Sequence, residues 1–153
     1  MSRRHAVLAA ALVLVTLCAP AVASANSRWA VKDAHGNKLG TAVLTNRARS
    51  EGKAKALNGN DLCTLTKVSA KTWRGDPADP SQVGGTTMVR HFSSGVHWRI
   101  RFATVPGAEW WPLRVVGTRW VLKMPGTAKT VATVSRQCPA PLAATACLWL
   151  NAP

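Results

Sequence analysis

Apolar and polar residues alternate with a period of two along much of this chain, most clearly over residues 96–102. There Val96, Trp98, Ile100 and Phe102 interleave with His97, Arg99 and Arg101. Successive side chains of a strand point to opposite faces, so the stretch predicts a half-buried strand. Residues 88–92 supply its partner across Ser93-Ser94-Gly95, a three-residue loop with Gly95 in the left-handed region. That register sets Phe92 against Val96, Arg90 against Trp98, Met88 against Ile100 and His91 against His97. A two-residue loop sets Arg90 against Arg99 and Phe92 against His97, which costs more through like-charge pairing, so the three-residue loop is expected.

Further strands follow from the same pattern. Residues 29–33 and 38–44 flank a turn in which Gly36 and Asn37 tolerate positive φ and Asp33 can bond the backbone. Residues 61–68, 113–116, 119–123 and 129–135 are β-branched or alternating runs bounded by turn residues. Residues 45–60 are polar and interrupted by Gly52, which predicts a basic loop or a short helix. Residues 72–85 are rich in Gly, Pro and Asp and predict a loop. The Ala- and Pro-rich tail closes with Cys147-Leu148-Trp149-Leu150, expected to dock as an edge strand or a short helical turn. No stretch has convincing amphipathic-helix periodicity. Seven or eight short strands of this kind predict an all-β fold, a small antiparallel sandwich or a partly open barrel.

The N-terminus changes the domain picture. Ser2-Arg3-Arg4-His5 is basic, residues 6–17 are apolar, and Ala23-Ser24-Ala25 is small, the tripartite build of a secretory signal peptide. The apolar run ends at Pro20, short of the roughly 20 residues of a membrane span. Cleavage is expected after Ala25, leaving residues 26–153 as a single all-β domain, exported to the periplasm or beyond the cell. The arginine pair partly resembles a twin-arginine signal, but Ala6 stands where a hydrophobic residue is wanted, so general secretion is the default.

Charge adds the next constraint. The whole chain has 20 Lys and Arg against six Asp and Glu. Removal of Arg3 and Arg4 leaves 18 basic residues and a net charge of +12 on 128 residues. Such a balance favours anionic partners: nucleic acid, anionic polysaccharide, lipid head groups or acidic proteins. Residues 88–123 hold four of the seven tryptophans, both phenylalanines and five of the twelve arginines, which marks them as core and working surface together. Three cysteines remain after processing. An oxidising compartment predicts one disulfide among them, with Cys138 to Cys147 the local candidate and Cys63 a buried free thiol.

Chemistry is sparse by comparison. The chain lacks a Gly-x-Ser-x-Gly turn and a phosphate-cradling glycine loop with its lysine. Asp76 and Asp79 fall short of the six to eight oxygens of a calcium site. No metal or cofactor is expected. His91 and His97 are one suggestive pair, able in principle to act as base and acid on a phosphodiester beside Arg99 and Arg101.

Basic residues beside aromatic ones on a β-surface instead suit an anionic partner. The candidate binding residues are His91, His97, Arg99, Arg101, Trp110, Trp111, Arg119 and Lys123, with Trp110 and Trp111 held at the surface by Pro112. Val96, Trp98, Ile100, Phe102, Trp120 and Leu122 point inward as core. The expected function is a non-catalytic binding or accessory module for a cell-envelope polymer or an acidic protein, with nucleic acid less favoured because of export. The alternatives are a small secreted nuclease built on His91 and His97, and a structural or inhibitor-type protein whose charge is incidental.

Overall fold

Glycine and alanine stand among the large apolar residues of the inner wall of this protein, and the space they leave determines its architecture. The computed structural model describes residues 27–79, 81 and 85–151; the expected signal segment, residues 1–25, lies outside the described residues. Ten antiparallel strands follow one another: β1 (Arg28–Lys32), β2 (Lys38–Leu44), β3 (Glu51–Ala56), β4 (Asp61–Ser69), β5 (Thr72–Pro77), β6 (Thr87–His91), β7 (Trp98–Phe102), β8 (Trp111–Val116), β9 (Arg119–Lys123) and β10 (Thr130–Ser135). Each pairs with its neighbours in sequence, and β10 returns to pair with β1, closing a barrel. The fold is all-β as the alternation predicts. It has ten strands instead of seven or eight, and it is a closed barrel instead of a sandwich or a partly open one.

Helix α1 (Ala140–Asn151) contacts β1, β2, β3, β4, β6, β7, β9 and β10, and every residue from Ala140 to Leu148 is buried. Walls on so many sides mean that it runs inside the barrel. A helix is about 10 Å across with its side chains, so the wall facing it must be thin. A Cβ on Gly52 of β3 would meet Leu142 Cδ1 at 2.8 Å and Val43 O at 3.0 Å; one on Gly40 would run into the Lys55 carbonyl and Leu150, and one on Gly75 into Thr87 and Thr145. Ala42, Ala54 and Ala132 continue this small-residue lining.

Leu142 and Leu148 fill the lumen against Leu65, Ile100 and Leu122. Pro141 sits in the first helical turn, where its missing N–H costs nothing. Thr145 donates its hydroxyl to the Pro141 carbonyl at 2.8 Å, and Trp149 Nε1 donates to Thr87 Oγ1 at 3.2 Å. The hydroxyls of Thr87 and Thr145, the buried polar residues of the interior, are thereby paired.

Two elements overturn the sequence reading for this reason. Residues 51–56 form β3, not a loop or a helix, with Gly52, Ala54 and Ala56 inward and Lys53 and Lys55 outward; residues 72–77 form β5, not a breaker-rich loop. The tail, expected as an edge strand or a single turn, is the central helix.

The outer wall carries the charge: Lys53 and Lys55 on β3, Arg90 on β6, Arg99 and Arg101 on β7, Arg119 and Lys123 on β9. No described helix is long and apolar enough to cross a membrane.

The thiols correct a further expectation. Cys63, Cys138 and Cys147 are all buried and free, so the Cys138–Cys147 bridge is not formed. The Pro139 carbonyl accepts from the Ala143 N–H, which places Cys138 immediately before the first turn of α1. The eight steps from Pro139 to Cys147 rise about 12 Å, and a disulfide needs Cα atoms within about 7 Å. Burial pushes the Cys63 thiol up to about 12 and raises the other two as well. A chain lacking residues 1–25 is therefore expected to react with a thiol reagent only after unfolding, and then at all three cysteines. One reactive thiol after unfolding without reductant would mean that a bridge exists.

Candidate functional site

The β6–β7 hairpin adopts the register that charge pairing argued against. Arg90 pairs with Arg99, Met88 with Arg101, Val89 with Ile100, and His91 with Trp98; Phe92 N–H donates to His97 O across a loop of residues 93–96. Gly95 takes the left-handed conformation as expected, at φ +68°. Val96 sits in this loop and not in the core. Val89, Ile100 and the rest of the buried set face inward only in this register, because a one-residue slip sends every side chain to the opposite face. Burial of the whole inner face outweighs one like-charge contact.

That contact is also softened locally. The Arg99 guanidinium carbon lies 4.4 Å from the Phe92 ring centre, and Arg99 donates from Nε to Val96 O at 3.1 Å and from Nη2 to Ser94 O at 3.4 Å. Trp110, in the segment before β8, folds over the same face. Its ring centre is 4.7 Å from the Arg101 guanidinium carbon and 5.7 Å from that of Arg90, and Phe92 meets it edge-on at 5.1 Å. Arg101 Nε is buried beneath this cluster without a hydrogen-bond partner among the described residues. Ring faces carry negative potential toward cations, so two aromatic side chains hold three arginines together.

β7 pairs with β8, Arg99 lying opposite Pro112, so the basic faces of the two hairpins stand side by side and Arg114 joins the patch. Two open grooves flank it. One, of about 730 Å³, runs along Arg99, Trp110, Arg114 and Lys123 with Glu109 on its rim; the other, of about 810 Å³, runs along His91, His97, Arg99, Arg114 and Arg136. Arg99, Arg114 and Val96 form the shared wall. The ion pairs among the described residues are Lys53 and Lys55 with Asp61, and Arg74 with Asp76. None involves Arg90, Arg99, Arg101 or Arg114.

His91 and His97 do come together, diagonally rather than directly opposite. Their rings stack 5.5 Å apart at 10°, and His91 meets Trp98 edge-on at 4.9 Å. His97 Nδ1 lies 3.1 Å from Phe92 O; as the donor there, it leaves Nε2 of the neutral ring as the acceptor. No group of three His, Cys, Asp or Glu side chains gathers as a metal site among the described residues.

Of the other candidate binding residues, Trp111 turns inward, opposite Ile100, and packs on the core, since it occupies an inner-face position of β8. It is not an exposed stacking surface. Trp110 is half-buried and already occupied by arginines. Lys123 donates to Ala128 O and Thr130 Oγ1 at the edge of the first groove. Arg119 lies apart, beside Arg28 and Lys32 in a separate shallow groove. Sequence reasoning left out Arg90, Phe92, Arg114 and Arg136. Parity with Arg99 in the alternative register was the one signal available for Arg90 and Phe92.

The chain matches no protein-family model, no curated protein and no solved structure. Its function has to be argued from this face.

Proposed function

We propose that the protein is an exported, non-catalytic binding module whose β6–β8 outer face engages an anionic partner, a cell-envelope polymer or an acidic protein surface. One observation carries this: Arg90, Arg99, Arg101 and Arg114 are gathered on one face, with no carboxylate ion pair among the described residues. Concentrated unpaired cations repel one another in the free protein, and an arriving anion relieves that repulsion while accepting from their fixed forks. Retention of purified protein on an immobilised polyanion at low salt is the expected result, lost in Arg99→Ser with Arg101→Ser. Absence of retention on every polyanion tried contradicts the proposal. Unchanged retention in the double variant leaves the charge of Arg99 and Arg101 incidental and places the binding elsewhere on the barrel.

The stacked histidines favour a second reading, phosphodiester cleavage. In it, one imidazole takes the proton of the attacking hydroxyl, the other protonates the leaving oxygen, and Arg99 carries the developing charge. Degradation of RNA or DNA, abolished by His91→Ala or His97→Ala, is its requirement. Purified protein that leaves both polymers intact rules it out.

A further inference from the structure

The arginine cluster says more about the ligand than its sign. We infer that the face reads phosphate groups on a linear polymer and not the polymer's rings, sugars or bases; the inference rests on the anion-binding function proposed above. Trp110 lines the first groove, yet Arg101 and Arg90 already sit against its ring and Phe92 meets it edge-on. A base or sugar reaches that ring only by displacing a guanidinium. Phe92 is likewise occupied by Arg99. Phe92 and Trp110 act as holders of cations.

What they hold is geometrically selective. Arg90 and Arg99 are register partners, whose Cβ atoms lie about 5 Å apart in an antiparallel pair. Arg101 follows on the same face, about 7 Å along the strand. Three guanidinium forks thus converge on one small area. A carboxylate offers two oxygens in one plane and matches one fork, whereas each internal phosphate of a linear polymer splays its two charged oxygens about a tetrahedral centre, and closely spaced phosphates present several such pairs to neighbouring forks at once. The grooves to either side of Arg99 and Arg114 give a chain room to run on past the cluster. Densely spaced phosphates on a flexible backbone fit such a surface better than scattered carboxylates.

Inorganic polyphosphate is the probe that isolates this chemistry, because it has phosphate and nothing else. Polyglutamate is the control of equal charge. Binding of both is measured at low salt to wild type, to Arg99→Lys with Arg101→Lys, and to Trp110→Leu. Polyphosphate is expected to bind roughly ten-fold tighter than polyglutamate, and the lysine pair, which keeps net charge, to lose most of that preference. Trp110→Leu is expected to weaken polyphosphate binding although the polymer has no ring to stack. Equal affinity for the two polymers, or a lysine variant that keeps the preference, overturns phosphate recognition and leaves anion binding standing. Failure of both polymers to bind overturns both. The lysine variants keep the aliphatic stems over the rings, so a folding defect does not confuse the outcome.

Discussion

Ending the chain at Pro139, before α1, is expected to abolish the cooperative unfolding transition of this protein. The inner wall is built for an occupant: Gly40, Gly52 and Gly75 face the helix where a Cβ has no room, and Ala42, Ala54 and Ala132 extend the lining. Without Leu142, Ala143, Ala146 and Leu148 that wall encloses a void. Cavities cost about 24 cal/mol per Å³, and one large enough to hold three turns of helix exceeds the 5–15 kcal/mol by which domains are typically stable. Circular dichroism through a denaturant titration reads the result. A truncated chain that unfolds in one sharp transition, with native-like strand signal, contradicts a helix-filled barrel.

The same fact explains where the sequence was legible and where it was not. β7 and β9 were readable because their inward residues, Trp98, Ile100 and Leu122, are large and alternate with Arg and Lys. β3 has Gly52, Ala54 and Ala56 inward between lysines, and β5 has Gly75 inward after Trp73, also with period two, but with small residues where the helix takes up the space. Glycine and alanine there resemble loop composition. Helix α1 escaped notice for the converse reason. Enclosed by wall, it is buried over the nine residues from Ala140 to Leu148, and a helix without a polar face gives no amphipathic period.

The candidate site divides in the same way. Arg99, Arg101 and Trp110 were visible as residue types on an alternating strand and its corner. The register that brings Arg90 to them was not, because local charge repulsion argued one way and burial of the whole inner face argued the other. Pro112, expected to hold both tryptophans at the surface, instead lies within β8 opposite Arg99, so Trp111 beside it turns inward opposite Ile100. Burial, summed over ten strands, decided both.

Replacing Arg90, Arg99 and Arg101 together by serine carries the largest expected effect on binding. All three project from the outer wall and none belongs to the buried core, so the barrel is expected to stay folded, with a lower midpoint from the lost ring contacts. Charge-assisted hydrogen bonds to an anion are each worth about 1.5–3 kcal/mol, less where water screens them. Affinity for a polyanion is therefore expected to fall about 10- to 100-fold at low salt.

The salt dependence of that affinity tests the central claim most directly. Each phosphate neutralised releases condensed counterions, so the logarithm of the binding constant falls linearly with the logarithm of salt concentration, by about 0.7 to 0.9 per contact. A steep slope for wild type on polyphosphate, shallower by about 2 to 3 in the triple serine variant, is the predicted result. An identical slope for the two proteins would place the binding elsewhere on the barrel and contradict the assignment of this face.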